Sequence, residues 1–409
     1  MQAAVDALIV GAGPAGSAAA IVLARAGWSV ALVESQVFPR RKVCGECIAA
    51  SNLPLLEALG VGSALGAAGP ELRTVVLMQG ARSQAAPLPA AAHARHRWGR
   101  ALGRATLDQA LLERAGHSGV AIWQPWSLQQ LDGGPGQWRC TLRSPAAAGE
   151  RTLRAGVLID ARGSAVQRTV AGAAAPRRGP GDLFAFKANY RGAALAPGQL
   201  PVLCLDGGYG GMVVADGGLM TIACCLRRDR LALLRVQAPG QRAAEVVEAW
   251  LRQQCAGVRL ALQGAVRAGP WLASGPLQIG VRVDDDDGLL RVGNAAGEVH
   301  PILGEGISMA LQSGVLLALQ LRAARAAHWP AGADLRAWQQ APARRYAELW
   351  RQQFAGRQRL AAVFAHLAMR PAGAAALCAL ARRWPALLAL GAQWGGKTRC
   401  AVDPAVLAA

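Results

Sequence analysis

A glycine-rich segment near the N-terminus constrains the fold of this chain more than any other feature. Residues 11–16, with the sequence GAGPAG, lie between an apolar run at residues 7–10 and an alanine-rich run at residues 17–26. The apolar run is typical of a buried strand and the alanine-rich run of a helix. In a dinucleotide-binding turn, the first glycine permits a tight bend, the second lets the backbone approach a pyrophosphate, and the third allows close helix–strand packing. The sequence therefore predicts phosphate binding by Gly11, Gly13, Pro14, Ala15 and Gly16.

A second apolar run, at residues 30–33, supports this interpretation. It ends at Glu34, 23 residues after Gly11, and Ser35 follows in the same loop. An acidic side chain at the end of the second strand can accept hydrogen bonds from both ribose hydroxyls of an adenosine. A lone G-x-G-x-x-G pattern occurs often by chance among 49 glycines, but the order of strand, turn, helix, strand and acid makes an ordinary glycine turn a poor alternative.

The charge of the chain indicates the class of ligand rather than a function. The formal net charge is +19, from 44 basic and 25 acidic side chains, and only three of the basic residues are lysines. The arginines are scattered, with no basic block interleaved with stacking aromatics, so we expect no nucleic-acid partner. We interpret the scarcity of lysine as the coding bias of a GC-rich genome. The positive charge favours anionic ligands, such as a dinucleotide, an acyl carrier protein or an anionic membrane surface.

Nine cysteines, an odd number, indicate reduced thiols rather than a disulfide framework. The glycine-rich turn begins so close to Met1 that we expect no cleaved signal and a cytoplasmic location, with a peripheral position at a membrane as an alternative. Cys44 and Cys47 form a C-x-x-C pair, but no second pair or nearby histidine completes a zinc site, so we expect no metal. No run of 18 apolar residues lacks a charge, so we expect no membrane-spanning helix.

Three later segments extend the first motif. Residues 157–164 are typical of a strand end and glycine turn, residues 289–297 of a strand that passes into small residues, and residues 301–311 of a glycine-rich helix start. With these segments in this order, over about 300 residues, the sequence resembles the FAD-dependent oxidoreductases built like aromatic hydroxylases (p-hydroxybenzoate hydroxylase-like). The resemblance is strongest to the geranylgeranyl reductase and flavin-dependent halogenase branches.

The resemblance implies FAD as cofactor, with the first turn on its pyrophosphate and Glu34 on its adenosine ribose. The family has a later G-D turn at the ribityl chain, where this sequence has Gly293 and Asn294 instead. Asparagine can still accept from a hydroxyl but lacks the carboxylate charge. The family's glycine-rich helix start lies at the pyrimidine edge of the isoalloxazine, although simple helix capping is the alternative. The residues implied there are Pro301, Gly304, Glu305, Gly306 and Ile307.

Two further segments resemble cofactor-binding elements of the family. Arg104 begins an R-x-x-L-D pattern whose arginine lies near the flavin, with a first-turn helix charge as the alternative. Residues 41–46 resemble the K-x-C-G segment of the reductase and halogenase branches, which implies that Arg41, Cys44 and Gly45 lie near the flavin and substrate. Asp160 matches the family's D-G motif only in part, and contact with FAD, contact with NADPH and turn closure all stay open for it.

Three residues are candidates for a catalytic role. Cys44 has a basic neighbourhood that would favour its thiolate, although a loop cysteine is often only a small packed side chain. Tyr209 belongs to a glycine-rich segment that resembles the strand lining the lipid cavity of the reductases, but Gly211 stands where the reductases have a tryptophan. His300 could donate a hydrogen bond to a substrate oxygen or could have a purely structural role.

The expected fold is α/β, with a discontinuous Rossmann-like FAD domain, an inserted, mostly antiparallel substrate domain, and a helical C-terminal segment. We assign residues 1–70, 100–180 and 270–320 to the FAD domain, and 71–99 and 181–269 to the substrate sheet. A helix at residues 243–254 interrupts the strand signals of the second domain. Residues 321–409 read as helical, with breaks at Pro330, Pro342, Pro371 and Pro385.

The favoured hypothesis is a monooxygenase that uses NAD(P)H as a transient reductant and hydroxylates an apolar aromatic or polyketide-like substrate. The first alternative is a flavin-dependent reductase of isoprenoid or lipid double bonds. The second is a non-catalytic flavin-binding protein that docks on a carrier protein or membrane through its arginine-rich helices, residues 321–383. Halogenation is the least favoured chemistry, because the Trp-x-Trp-x-Ile-Pro segment and the catalytic lysine context of the halogenases are absent from the sequence.

Overall fold

A computed structural model of the protein describes residues 4–147, 149–164, 178–283, 287–330 and 334–407. The predicted ranges 1–70, 100–180, 270–320 and 321–409 each include some residues outside the described part. The strands are β1 (Ala4–Val10), β2 (Val30–Val33), β3 (Cys47–Ile48), β4 (Thr74–Gln79), β5 (Arg82–Pro87), β6 (Arg100–Ala101), β7 (Ala121–Trp123), β8 (Ser127–Asp132), β9 (Trp138–Arg143), β10 (Glu150–Asp160), β11 (Leu183–Arg191), β12 (Gln199–Leu205), β13 (Gly208–Val214), β14 (Met220–Arg227), β15 (Val266–Arg267), β16 (Leu272–Ser274), β17 (Gly280–Val281), β18 (Leu290–Arg291) and β19 (Gly297–Glu298). The helices are α1 (Pro14–Arg25), α2 (Leu53–Leu59), α3 (Arg104–His117), α4 (Arg228–Gln237), α5 (Ala243–Gln254), α6 (Ala256–Ala261), α7 (Gly306–Ala327), α8 (Leu335–Ala368), α9 (Pro371–Arg383) and α10 (Ala386–Trp394).

The first sheet has the order β7-β2-β1-β10-β9-β8, and β18 also pairs with β10. Strands β1, β2, β7, β10 and β18 run parallel, and β8 and β9 form an antiparallel hairpin beside them. In the register of β1 and β2, Val10 lies beside Val33. Because parallel strands end at the same edge of a sheet, Gly11 and Glu34 meet there, as the predicted βαβ unit requires.

The second sheet has the order β15-β11-β14-β13-β12-β4-β5, with β16 also paired to β11. Most of its pairs are antiparallel, and β12 and β4 form a parallel pair. Strands from residues 74–87 and from residues 183–274 thus share one sheet. The mixed α/β architecture confirms the predicted fold class, and α5 has the predicted bounds.

Helices cover the first sheet and continue over the second. α7 packs between α1 and α8, and by length and composition alone it could span a membrane. However, 67% of its most apolar window is buried inside the protein. We therefore describe α7 as a core helix.

The predicted helix break at Pro342 is wrong. Pro342 is buried inside α8, which runs without interruption from Leu335 to Ala368. A proline removes one helical hydrogen bond and strains the preceding turn. Tyr346, Trp350 and Phe354 are all buried on the same helix, so side-chain packing outweighs that local cost.

Candidate functional site

The turn after β1 is built so closely that two of its positions accept only glycine. Gly11 has φ of 107°, and a Cβ atom added to it would lie 2.5 Å from the carbonyl oxygen of Ala161. A Cβ atom on Gly16 would lie 1.9 Å from the carbonyl oxygen of Gly11. These approaches bring α1 directly against the edge of the sheet, which is the packing role expected of the first and third glycines.

Gly13 differs because it faces open space. A Cβ atom there would meet only a guanidinium nitrogen of Arg104, at 3.7 Å. Gly13 is the N-cap of α1, and Gly13, Pro14 and Ala15 line a cavity. The first N–H groups of a helix have no partner within the helix, so this helix end is suited to an anion.

The cavity has a volume of about 530 Å³ and is lined by loops that follow strands of the first sheet and by strand residues of the second sheet. At one end it is lined by the α1 turn, the 42–47 loop, Gly163 and the segment that leads into α7. Elsewhere the walls are mainly apolar and come from the second sheet and from α8, α9 and α10. One continuous space therefore joins the predicted dinucleotide site to an apolar chamber.

Basic side chains surround the α1 end of this cavity. Arg104 is buried, and its guanidinium forms two 2.7 Å hydrogen bonds with the carboxylate of Asp108. Arg40 lies 3.5 Å from Asp108 and 3.7 Å from Glu34. Lys42 lines the cavity, and partial loss of water around its ammonium together with repulsion from Arg104 and Arg40 lowers its pKa to about 8. With Asp108 and Glu34 nearby, three cations meet two carboxylates, which leaves one positive charge in excess at this end of the cavity.

Glu34 lies at the end of β2 with its carboxylate buried. One oxygen accepts from the backbone N–H of Ala12 at 3.0 Å, and the other accepts from the N–H of Gln36 at 2.9 Å. Ser35 is exposed, with its hydroxyl 3.4 Å from the same carboxylate. The structure thus places Glu34 beside the glycine turn, where the sequence analysis expects an adenosine ribose.

The counterpart of the family's G-D turn begins at Gly293, which lines the cavity together with Asn294. The side-chain nitrogen of Asn294 donates to Ser164 Oγ at 3.2 Å and to Glu298 Oε1 at 3.0 Å. These bonds fix the amide, so that its oxygen remains as the acceptor. Asn294 thereby keeps the acceptor function of the aspartate that it replaces, without the negative charge.

The predicted helix start lies at the same cavity. Pro301, Gly304, Gly306 and Ile307 line it, and Gly304 has a left-handed backbone with φ of 65°. Glu305 is buried, and one of its carboxylate oxygens lies 2.9 Å from Lys397 Nζ. Burial alone would lower the pKa of Lys397, but Cys47 and Glu305 beside it raise that pKa above its ordinary value.

Asp160 closes its own turn. Its carboxylate accepts from the backbone N–H of Arg162 at 3.1 Å and from the Arg162 guanidinium at 3.0 and 2.7 Å. Of the three roles that the sequence left open for Asp160, this geometry favours turn closure. Gly163, three residues after Asp160, lines the cavity.

The residues of the 41–46 segment lie in two different places. Cys44 and Gly45 line the cavity, and Cys44 Sγ accepts from the N–H of Glu46 at 3.3 Å. Arg41 instead extends toward the second sheet, where its guanidinium donates to Asn189 Oδ1 at 3.0 Å. The structure therefore brings Cys44 and Gly45 to the candidate site and directs Arg41 toward β11.

Tyr209 and His300 come together although they are far apart in sequence. Tyr209 lines the cavity, and its hydroxyl lies 3.2 Å from His300 Nδ1. Burial and the neighbouring His366 lower the pKa of His300 to about 4, so its imidazole is neutral at physiological pH. The His366 ring lies 6.3 Å from the His300 ring, and His366 is exposed. The three side chains form a polar series from the cavity wall to the surface.

No motif in the sequence predicted that the three lysines lie at the candidate site. Lys42 and Lys397 line the cavity, and buried Lys187 on β11 pairs with Glu46 of the cavity loop. Glu46 also accepts from the N–H of Arg104 at 3.1 Å and from the hydroxyl of Thr221. All three lysines of the chain thus lie at or beside one site. Their rarity in an arginine-rich sequence was the available signal, and it was interpreted as coding bias.

The residues present fit FAD. The α1 end offers N–H groups, an open glycine and cationic side chains to a pyrophosphate, and Glu34 offers a carboxylate to a ribose. The start of α7, with Lys397 beside it, offers positive potential where a flavin gains negative charge on reduction. Within the described ranges, no group of three or more His, Cys, Asp or Glu side chains could hold a metal ion.

Comparison with known families and sequences agrees with this fit. A family model for an FAD binding domain matches residues 4–186. The chain is 26% identical to conditioned medium factor receptor 1 of Dictyostelium discoideum over 77% of the chain and 63% of that protein. It is 32% identical to a tryptophan 2-halogenase of Chondromyces crocatus over 39% of the chain and 30% of the enzyme. It is 46% identical to a menaquinone reductase of Mycolicibacterium smegmatis over 15% of each. The chain thus spans less than two thirds of the length of these relatives.

Solved structures share the fold over nearly the whole chain. The flavin-dependent brominase Bmp2 has a TM-score of 0.74 at 19% identity, covering 99% of this chain and 97% of its own. A geranylgeranyl bacteriochlorophyll reductase-like protein of Thermoplasma acidophilum has a TM-score of 0.68 at 17% identity, covering 96% and 100%. PqsL of P. aeruginosa has a TM-score of 0.66 at 17% identity, covering 89% and 96%.

At such identities these structures establish the fold alone, whereas the family model and the residues of the cavity establish the cofactor. FAD is the cofactor of this protein. The chain contains an FAD-binding domain over residues 4–186 and combines it with a second, mostly antiparallel sheet, in the fold that these solved flavin-dependent proteins share.

Proposed function

We propose that this protein is a monooxygenase that hydroxylates an apolar phenol. The observation that carries the proposal is Tyr209 in the wall of an otherwise mainly apolar cavity, with His300 hydrogen-bonded behind it. FAD, when bound and reduced by NAD(P)H, supplies the oxygen chemistry. The residues of the chain then have three tasks, which are to hold the substrate, to exclude water and to move a proton.

The apolar chamber supports a substrate that is largely hydrophobic. Val75 and Leu77 of β4, Val202 of β12 and Met212 of β13 contribute to its sheet side, and leucines of α8 to α10 face it from the helical side. Apolar walls hold a ring or alkyl chain through removal of apolar surface from water. They also leave few polar groups that could hold water near the reacting atoms.

The Tyr209–His300 pair supports deprotonation of a hydroxyl group on that substrate. Removal of the proton makes a phenol ring electron-rich and therefore more reactive toward an oxygen electrophile. The Tyr209 hydroxyl can accept the substrate proton while it donates its own to His300 Nδ1, 3.2 Å away. His300 is neutral at physiological pH, so its Nδ1 can accept a hydrogen bond from Tyr209, and exposed His366 lies next in the series toward the solvent that takes up the proton.

The Tyr209–His300 pair also favours hydroxylation over double-bond reduction. A reductase that delivers hydride to a carbon–carbon double bond also needs a proton donor. A histidine with a pKa near 4 is seldom protonated at neutral pH, so His300 is not a ready proton donor for such a reaction. Cys44 in the cavity and the similarity to menaquinone reductases keep reduction as the second candidate.

The test uses the purified flavoprotein with NADPH, NADH and a long-chain alkylphenol such as 4-octylphenol. We expect the alkylphenol to accelerate NAD(P)H oxidation and to gain one oxygen atom from ¹⁸O₂. Product formation without O₂ would instead support the reductase. A brominated or chlorinated product that depends on added halide would support a halogenase. No acceleration by any apolar substrate would favour a binding protein without catalysis.

A pH profile tests the role assigned to Tyr209. We expect Tyr209→Phe to hydroxylate the phenol slowly at pH 7 and to recover as the pH approaches the pKa of the free phenol, about 10. At that pH the substrate loses its proton to solvent without help from the protein. Tyr190→Phe, a buried tyrosine on β11, is the matched control and should keep the wild-type profile. A uniform loss at every pH in Tyr209→Phe would contradict proton transfer.

A further inference from the structure

The end of α9 and the whole of α10 form an exposed surface of unusual composition, which we call the 380–394 surface. Trp384 is 52% exposed, Trp394 is 65% exposed and Leu387 is 39% exposed. α10 has the sequence ALLALGAQW and contains no buried residue. Exposed apolar clusters of this kind usually mark an interaction site, because water-facing helices normally carry polar side chains.

This surface lies at the mouth of the cavity. Leu380 and Leu387 line the cavity and are also exposed, at 42% and 39%. Leu388, Gly391 and Ala392 of α10 line it further inside. A ligand that leaves the apolar chamber past these residues therefore reaches the 380–394 surface before it reaches open water.

The charged residues in the sequence around this surface have one sign. Between Glu348 and Asp403 the sequence contains eight basic residues and no acidic residue. Arg382 and Arg383 are exposed in the last turn of α9, and the Arg383 guanidinium lies 5.3 Å from the Trp384 ring. Indole and guanidinium side chains beside an apolar helix are the combination that binds the headgroup region of a bilayer.

We infer that the 380–394 surface docks on an anionic lipid membrane and that the cavity exchanges its substrate with that membrane. A carrier protein is the weaker alternative, because acidic proteins are recognised mainly by charge, whereas here two tryptophans and an apolar helix are exposed. The arginine-rich helices at residues 321–383 were the predicted alternative for such contact, and we infer that the end of α9 and α10 make it instead. The inference rests on the proposed function only for the substrate, since membrane binding itself needs no turnover.

The experiment is flotation of the FAD-loaded full chain with vesicles of phosphatidylcholine alone or with 30% phosphatidylglycerol, without substrate. We expect binding to the anionic vesicles that weakens as salt is added. Arg382→Gln/Arg383→Gln should lower the partition coefficient roughly 30-fold, because each arginine near an anionic surface contributes about 1 kcal/mol to the free energy of binding. Trp384→Ser/Trp394→Ser should lower it roughly 10-fold or more through lost apolar burial.

The matched control is Arg139→Gln/Arg143→Gln, which removes two exposed charges from β9. It should bind vesicles as the wild type does, and all variants should keep the wild-type flavin absorbance. Equal loss in the control, or no vesicle binding by the wild type, overturns the inference. If the protein does not bind vesicles but binds an acyl carrier protein through Arg382 and Arg383, the membrane inference is wrong and protein docking replaces it. Vesicle binding by a protein that does not hydroxylate phenols would remove the proposed function and leave the docking surface standing.

Discussion

Lys397 Nζ lies 2.9 Å from a carboxylate oxygen of Glu305, which connects the C-terminal segment to the residue before α7. Lys397 also donates to the carbonyl of Gly304 at 3.2 Å. The backbone on either side of this lysine is fixed as well, because Ser51 bonds to the carbonyls of Gly396 and Lys397. The last 15 residues of the sequence therefore help to build one end of the candidate site.

Replacement of Lys397 should destabilise the protein through Glu305. Glu305 is 1% exposed, so Lys397→Met leaves a buried carboxylate without its cation, at a cost of about 3 kcal/mol in the free energy of unfolding. Lys397→Met/Glu305→Gln should recover most of that loss, because it removes the charge as well. Urea unfolding of the two variants measures both effects. Arg399→Met, which removes an exposed charge two residues away, is the control and should cost little; a double variant as unstable as Lys397→Met would contradict the pairing.

Two glycines of the first turn should respond in opposite ways to alanine. At Gly13 a Cβ atom projects into open space, so Gly13→Ala should fold normally and lose affinity for FAD, roughly 10-fold if one phosphate contact is lost. At Gly16 the Cβ atom would meet the carbonyl oxygen of Gly11 at 1.9 Å, so Gly16→Ala should lower stability even without flavin. Fluorescence titration with FAD and thermal unfolding of the apoprotein separate the two effects. Gly66→Ala, where a Cβ atom meets nothing within 4 Å, is the control.

Lys42 should make FAD affinity depend on pH. Its pKa is lowered to about 8, so the ammonium is charged at pH 7 and largely neutral at pH 9. If Lys42 faces the pyrophosphate, the dissociation constant for FAD should rise severalfold between these values, by roughly 10-fold at most. Lys42→Arg keeps its charge and should show a flat profile, and Lys42→Met should bind weakly at both pH values. A wild-type profile in Lys42→Met would place the charge elsewhere.

His300 should make the stability of the protein fall in mild acid. Its folded-state pKa of about 4 lies below the ordinary value of 6.5, so the unfolded chain binds a proton before the native state does. The stability that neutral His300 contributes is complete above pH 6.5 and is lost as the pH falls toward 4. Between pH 7 and pH 5 the loss is about 2 kcal/mol. Urea unfolding at both pH values should show this slope in the wild type, a smaller one in His300→Gln, and the full slope in His328→Gln, which replaces an exposed histidine.

The sequence predicted those parts of the site that depend on neighbouring residues. The glycine turn, the strand that ends at Glu34 and the helix at residues 243–254 all follow from local patterns and were placed correctly. Pro342 shows the limit of local reasoning. A proline ends the helix in an isolated segment, but in α8 the packing of buried aromatic residues further along the helix outweighs that local cost.

The pairs that complete the site lie beyond such patterns. Arg41 and Asn189, Glu46 and Lys187, and Tyr209 and His300 each join distant segments. No spacing rule links the members of these pairs, since the distance between them in space is set by how two sheets pack. The resemblance to the family singled out Arg41 and Tyr209 but not their partners, and the rarity of lysine was a signal for Lys187 alone.

The sequence by itself determined the dinucleotide turn and the α/β class, because strand alternation, helix periodicity and glycine geometry are properties of contiguous residues. Only the tertiary structure decided which cations line the cavity, which tyrosine meets a neutral histidine and where the cavity opens. Those properties depend on burial and on contacts between segments far apart in the chain, and burial is what changes the pKa of a lysine or leaves a tryptophan exposed to solvent.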